Sequence, residues 1–248
     1  MTLETDYLVV GAGAMGMAFA DVLMTETDAS ILLVDRGGRP GGHWNVAYPF
    51  VRLHQPSAFY GVNSRKLGAG TKDTTGWNAG LYELASGAEV VAYFDQVMHQ
   101  QFLPSGRVQY FPMCQYEGNG AFRSLLSGET HDVKVAEKTV DTTYMNVIVP
   151  SMRPPTYAVA DSVRCEPPNA LPTLDEPPAA YVIVGAGKTG IDAALWLLSN
   201  GVDPDAITWI RPRDSWLLDR AIIQPGREFF DAAVGGFAHR TEAAALAT

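Results

Sequence analysis

The sequence predicts an α/β fold, and an internal repeat carries that expectation. The segment Tyr7-Leu8-Val9-Val10-Gly11-Ala12-Gly13 recurs as Tyr181-Val182-Ile183-Val184-Gly185-Ala186-Gly187. In each copy a short apolar run, suited to a buried parallel strand, passes through a glycine turn into a helical pattern. A second short apolar run then follows, Ile31 to Asp35 in one copy and Ile207 to Arg211 in the other. Composition agrees with a folded α/β chain: of 248 residues, 47% are hydrophobic and 18% charged, enough apolar surface to build a core.

The remaining elements follow in order. In the first helix Met15, Phe19, Val22 and Leu23 recur at helical spacing, and in the second Ile191, Ala194, Leu195 and Leu198 do the same. Asn200-Gly201 offers C-cap chemistry to the second helix. Residues 37–56, rich in Gly, Pro and aromatics, read as an extended loop. A helix is expected over Glu89–Leu103, with Val90, Tyr93, Phe94, Val97 and Met98 on one side. Short strands are expected at Val108–Phe111, Phe122–Leu126, Val133–Val135, Thr139–Met145 and Asn146–Val149. Their turns are Glu117-Gly118-Asn119-Gly120 and Ser127-Gly128. A linker holding Pro167, Pro168, Pro172, Pro177 and Pro178 then divides the chain into domains 1–178 and 179–248. Ala232, Ala233 and Ala243 to Ala245 suggest a frayed helix near the end. A doubly wound domain needs more strands than the short stretch after Arg211 can supply, so an N-terminal fragment with an incomplete second unit is expected.

Bulk properties narrow the partners. A formal net charge of -9 disfavours nucleic acid and anionic membrane. The polar start, Met1 to Tyr7, has no signal-peptide pattern, and no apolar run reaches the ~18 residues of a membrane span. A soluble cytoplasmic protein is expected. Cys114 and Cys165 are far apart without a C-x-x-C pair, and are read as buried thiols. The five histidines show no metal-ligand spacing.

The chemistry lies in the glycine turns. Gly11, Gly13 and Gly16 form G-x-G-x-x-G between a strand and a helix. The first glycine permits the tight turn, the second lets backbone approach a pyrophosphate, and the third lets helix and strand pack closely. The helix N-terminus, with Ala14 and Met15, offers N–H groups and partial positive charge to phosphates. Asp35 ends the next strand near the ~20-residue offset expected of an acid on a ribose hydroxyl, and Arg36 follows it. Gly185, Gly187 and Gly190 repeat the motif, with Lys188 and Thr189 inside it. There Arg211 stands where Asp35 stands in the first copy, and Arg213 lies close by. A guanidinium pairs with a 2′-phosphate that a carboxylate would repel, so NADP is expected in the second site. Lys188 either joins the phosphates or points to water. Two nicotinamide sites would be redundant, whereas FAD with NADPH makes a hydride relay. FAD is therefore expected at Asp35 and NADP(H) at Arg211.

The loop Gly41-Gly42-His43-Trp44, then Tyr48-Pro49, then Arg52-Leu53-His54, resembles that of the flavin-containing and Baeyer–Villiger monooxygenases. The resemblance spans roughly residues 6–66 and 180–217. It implies a Rossmann-type, two-dinucleotide-binding-domain flavoprotein, with a β-rich excursion in the FAD domain. It further implies that Gly42, His43, Trp44 and Arg52 contact the FAD and that His54 is a catalytic candidate. The implied reaction is hydride transfer from NADPH to flavin, then oxygen transfer from O2 to a small organic substrate. The F-x-G-x-x-x-H-x-x-x-[FY] signature of that group is missing between Cys165 and Ala180, and His54 stands where an acid is common. A flavin reductase or dehydrogenase without oxygenation, and a non-catalytic dinucleotide-binding fragment, remain the alternatives.

Overall fold

The computed structural model describes residues 2–145, 148–213 and 217–226. The chain forms two compact units, each assembled from separate stretches. The first comprises Met1–Ala47, Tyr60–Leu67 and Gly87–Ala160, and the second Tyr48–Phe59, Gly68–Ser86 and Asp161–Thr248.

The first unit is built on a six-stranded sheet. In chain order the strands are β1 (Thr2–Val10), β2 (Ile31–Val34), β3 (Val108–Phe111), β4 (Cys114–Gly118), β5 (Ala121–Ser124) and β6 (Thr130–Asp141). Their order across the sheet is β3-β2-β1-β6-β5-β4. The four from β3 to β6 run parallel, and β5 and β4 continue the sheet antiparallel. The β-rich excursion thus extends the parallel sheet. All four residues of β2 are buried, as expected of a strand covered on both faces. Leu8, Leu32, Val34, Cys114, Phe122 and Val133 form one core cluster. Each fully buried leucine there contributes about 2 kcal/mol.

Two helices cover this sheet. Helix α1 (Ala14–Glu26) buries Gly16, Met17, Ala20 and Leu23, whereas Met15 and Val22 are exposed. The expected face of Met15, Phe19 and Val22 is therefore corrected. The buried face combines the small Gly16 and Ala20 with Met17 and Leu23, while Met15 and Val22 turn outward. It also buries Asp21 completely, whose carboxylate accepts from Ser64 N–H at 2.9 Å, the Ser64 hydroxyl at 2.5 Å and Gln101 Nε2 at 2.9 Å. Helix α2 (Gly87–Val97) continues as a π turn over Met98–Phe102 and a 3-10 turn over Leu103–Ser105. Its expected stripe of Val90, Tyr93, Phe94, Val97 and Met98 is buried throughout.

Several strand expectations change. Val133–Val135 and Thr139–Met145 belong to one strand, β6, which ends at Asp141. The charged Glu137 and Lys138 break the apolar pattern but sit at exposed positions of a continuous strand. Residues 142–145 are not strand, and β4 adds a strand unread in the sequence. Both expected turns are present, with Asn119 at φ 51°, between Gly118 and Gly120, and Gly128 at φ 75°. The expected strand over Asn146–Val149 falls partly, and the alanine-rich helix wholly, outside the described residues; Ile148 and Val149 are not strand. The loop from residue 37 holds a 3-10 turn at Gly42–Val46.

The second unit contains β7 (Tyr181–Val184), α3 (Lys188–Ser199) and β8 (Ile207–Ile210), with β7 and β8 paired in parallel. Here too the buried positions differ from expectation. Ala193 and Leu197 face the core with Ile183, while Leu195 and Leu198 are exposed. In both helices apolar residues occur on several sides, so periodicity alone does not select the face. Gly201 at φ 80° closes α3, with Gly201 N–H donating to Leu198 C=O and Val202 N–H to Leu197 C=O, each at 3.1 Å. Leu171, from the proline-rich stretch, packs against this cluster. Cys114 is buried as expected but Cys165 is exposed, and the two are not bonded to each other. No helix among the described residues is long and apolar enough to cross a membrane.

Candidate functional site

The first cradle forms where β1 meets α1. Gly11 adopts φ 101°, a conformation that side chains disfavour, and its N–H donates to Val34 C=O at 2.8 Å. A Cβ on Gly16 would lie 1.9 Å from the Gly11 carbonyl oxygen, so only glycine fits there. No side chain caps the N-terminus of α1 at Gly13, which leaves that end to backbone N–H groups. Asp35 faces this turn: its Oδ2 accepts from Ala12 N–H at 2.5 Å and its Oδ1 from Gly37 N–H at 2.6 Å. Its backbone is held on both sides by Phe111 C=O and Cys114 N–H. Arg36 is exposed beyond it.

The Gly-Gly loop returns to this turn. Gly41 N–H donates to Ala12 C=O at 2.9 Å, and a Cβ on Gly42 would come within 3.1 Å of Gly13 Cα. Asn45 pins the loop by donating to Pro40 and Gly42 carbonyls. His43 stacks on Trp44, whose indole nitrogen donates to Tyr60 Oη at 2.6 Å. Burial lowers the His43 pKa below its ordinary value, favouring the neutral ring. Gly11, Gly13, Ala14, Met15, Gly16, Asp35, Arg36, Gly42, His43 and Trp44 all belong to this unit.

Sequence reasoning passed over two contributors here. Thr142, just past β6, donates from its hydroxyl to Val10 and Gly11 carbonyls and supports the turn from beneath. The Asp141-Thr142-Thr143 strand end was its only signal. Tyr110 Oη is buried with no hydrogen-bond partner, and its pKa is raised by burial and by the Asp35 and Asp95 carboxylates. It carried no sequence signal, because a tyrosine in a short strand reads as core.

The second cradle repeats the design in the other unit. Gly185 has φ 123°, its N–H donates to Ile210 C=O at 2.9 Å, and a Cβ on Gly190 would lie 2.5 Å from its carbonyl oxygen. A Cβ on Gly185 or Gly187 would meet no atom of the described residues within 4 Å. No side chain caps α3 at Gly187. Arg211 is exposed at the strand end, its guanidinium 5.3 Å above the Trp209 ring, and Trp209 Nε1 donates to Gly185 C=O at 2.7 Å. Arg213 is exposed.

Lys188 is engaged within its own unit. Its ammonium pairs with Asp192, donates to Arg52 C=O at 2.5 Å and lies 3.5 Å from Tyr48 Oη. Tyr48 Oη donates to Asp192 at 2.7 Å. Burial and the Asp192 carboxylate raise the Tyr48 pKa, while the Thr189 hydroxyl acts in the opposite sense. Arg52 and His54 are both exposed in this unit, and Arg52 Nη1 donates to Leu84 C=O at 3.0 Å.

Residues 9–50 match the NAD(P)-binding Rossmann-like domain family. The chain is 60% identical over 228 residues to uncharacterized proteins of Mycobacterium tuberculosis and Mycobacterium bovis. That match covers 92% of this chain, which spans 42% of the length of these relatives. Among solved structures, a flavin-containing monooxygenase from Stenotrophomonas maltophilia superposes with a TM-score of 0.56 at 18% identity, covering 94% of this chain and 68% of that one. The bacillithiol disulfide reductase Bdr from Staphylococcus aureus superposes at 0.53 and 14% identity, covering 96% and 65% respectively. The chain therefore has the α/β fold shared by these monooxygenases and disulfide reductases, with a Rossmann-like dinucleotide-binding unit at its start.

Proposed function

We propose that this chain is the dinucleotide-binding portion of an FAD-dependent, NADPH-using oxidoreductase of the monooxygenase-like type. FAD occupies the first cradle and NADP(H) the second. The observation that carries this reading is the opposite charge at two equivalent strand ends, Asp35 against the first glycine turn and Arg211 beside the second.

The residues present fit these groups. In the first cradle the uncapped start of α1 presents Gly13, Ala14 and Met15 N–H groups to a pyrophosphate. Each Asp35 oxygen, already accepting one backbone N–H, retains acceptor capacity for a ribose hydroxyl. The unpartnered Tyr110 hydroxyl supplies a further buried donor in the same unit. In the second cradle the space beside Gly185 and Gly187, clear among the described residues, admits a phosphate, and Arg211 pairs with a 2′-phosphate. Lys188, held by Asp192 and the Arg52 carbonyl, lies at the start of α3 beside this turn.

When bound, FAD accepts hydride from NADPH and, once reduced, supports O2-dependent oxygenation of a small organic substrate. Gly42, His43 and Trp44 form a packed wall beside the first turn that shields this chemistry from water. The proposal places the protein in the cytoplasm, with a small-molecule substrate and neither nucleic acid nor membrane as partner. A flavin reductase without oxygenation is the second reading, favoured by a likeness to the bacillithiol disulfide reductases about as close as that to the monooxygenase.

Colour tests the proposal. The purified protein is expected to absorb near ~450 nm and to bleach on adding NADPH under argon. A colourless protein that binds ADP-ribose would leave a non-catalytic binding module instead. Peroxide release without any oxygenated product would select the reductase reading.

A further inference from the structure

We propose that Trp209 is the positioning residue of the second cradle: its indole nitrogen holds the glycine turn, and its ring carries the Arg211 guanidinium that recognises a 2′-phosphate. The inference rests on the reading that this cradle takes NADPH.

The two turns are held by matching bonds with one exchange. In each, the first glycine donates its N–H to the adjacent strand, Gly11 to Val34 at 2.8 Å and Gly185 to Ile210 at 2.9 Å. In the first turn the glycine carbonyl accepts at 3.2 Å from Thr142, which follows the neighbouring parallel strand β6. In the two-stranded β7-β8 sheet, that carbonyl accepts instead from Trp209 Nε1, at 2.7 Å. Trp209 takes the position that Leu33 holds in the first unit, and leucine has no donor to offer. The bond matters because this carbonyl sets how closely α3 approaches: it is the atom nearest a Cβ on Gly190. Locking it fixes the uncapped start of α3, where the phosphates bind.

Alternation along the strand brings Trp209 and Arg211 to the same side, and the guanidinium lies 5.3 Å over the ring. One side chain therefore does two jobs. It orders the turn, which serves NADH and NADPH alike, and it holds the cation, which serves only the phosphorylated cofactor.

The test measures NADPH and NADH affinities of the full chain by calorimetry, with far-UV circular dichroism melts as a folding control. Arg211→Ala is expected to lower the NADPH-to-NADH affinity ratio about tenfold or more. Trp209→Phe keeps an aromatic platform but loses the donor. It is expected to weaken both cofactors by about 2- to 10-fold and leave the ratio nearly intact. Trp209→Leu loses both and is expected to lower the ratio a further 2- to 5-fold or so. An Arg211→Ala ratio equal to wild type would remove the NADPH reading itself. A reduced ratio there, with wild-type affinities in both Trp209 variants, would overturn the role of Trp209 alone. If Trp209→Leu does not fold, Trp209→Phe decides: equal loss for both cofactors supports the role, and no loss overturns it.

Discussion

The two strand–turn–helix–strand units share a plan but are stabilised differently. In the first, β1 lies between β2 and β6, and all four residues of β2 are buried. In the second, β7 pairs with β8 alone among the described residues, and Val182, Val184 and Ile210 are exposed. The first turn is braced by Thr142, just past β6, and by Asp35, and the second by Trp209 of β8, the strand paired with β7 among the described residues. The first carbonyl of each turn is thus held by different chemistry, a threonine hydroxyl in one and an indole N–H in the other.

Substitution of the third glycine gives the largest contrast. Gly16→Ala forces a Cβ to 1.9 Å from a backbone oxygen, against 2.5 Å for Gly190→Ala. Losses of about 3 and about 1–2 kcal/mol are expected, read by urea titration followed with circular dichroism. Equal losses would break the claim that the first unit is the more tightly packed. Gly187→Ala sharpens it: that Cβ meets nothing within 4 Å, so stability should hold while NADPH affinity falls.

Next come the two strand ends. Asp35→Ala strips Ala12 and Gly37 N–H groups of their acceptor and should cost about 2 kcal/mol together with flavin retention. Arg211→Ala, at an exposed position, should change stability by less than about 0.5 kcal/mol. A destabilising Arg211→Ala would mean that the arginine serves the fold first. Lys188→Ala is expected to alter NADPH affinity by less than about threefold, since the ammonium is engaged with Asp192 and Arg52; a loss near tenfold would show that it turns to the phosphates.

The smallest effect concerns pH. Burial holds the His43 pKa below the ordinary 6.5, so as pH falls through that value the unfolded chain takes up a proton before the folded one. Stability of the first unit should therefore decline below about pH 6.5 and level off once pH passes the lowered folded value. His43→Gln should flatten that part of the curve. A slope unchanged by the substitution would assign it to other groups.

Much of the fold was legible because it depends on local pattern. The apolar runs of β1, β2, β3, β7 and β8, the buried stripe of α2 and the Gly201 cap all lie within short stretches of chain. The misread elements depend on neighbours. Met15 and Val22 looked like a core face, but α1 turns Gly16, Met17 and Ala20 to the sheet and buries Asp21, whose partners Ser64 and Gln101 lie far along the chain. Strand β6 read as two because Glu137 and Lys138 interrupt its apolar pattern, and Cys114–Gly118 escaped notice because it is polar and its end, Glu117-Gly118, read as part of a turn. The site shows the same division. Both glycine motifs and their charged strand ends were readable from spacing, whereas Thr142, Tyr110 and Trp209 gained meaning only from what they touch.

By itself, the sequence determined that two glycine turns lead from apolar strands into helices and that their strand ends bear opposite charge, because those features depend on residue type and short spacing. Only the tertiary structure decided which helix faces are buried, that Lys188 is held by Asp192 and the Arg52 carbonyl, and that an indole braces the second turn. Such choices depend on contacts between residues distant in the chain, where the desolvation of a carboxylate or the reach of one N–H selects among faces that the sequence pattern leaves equivalent.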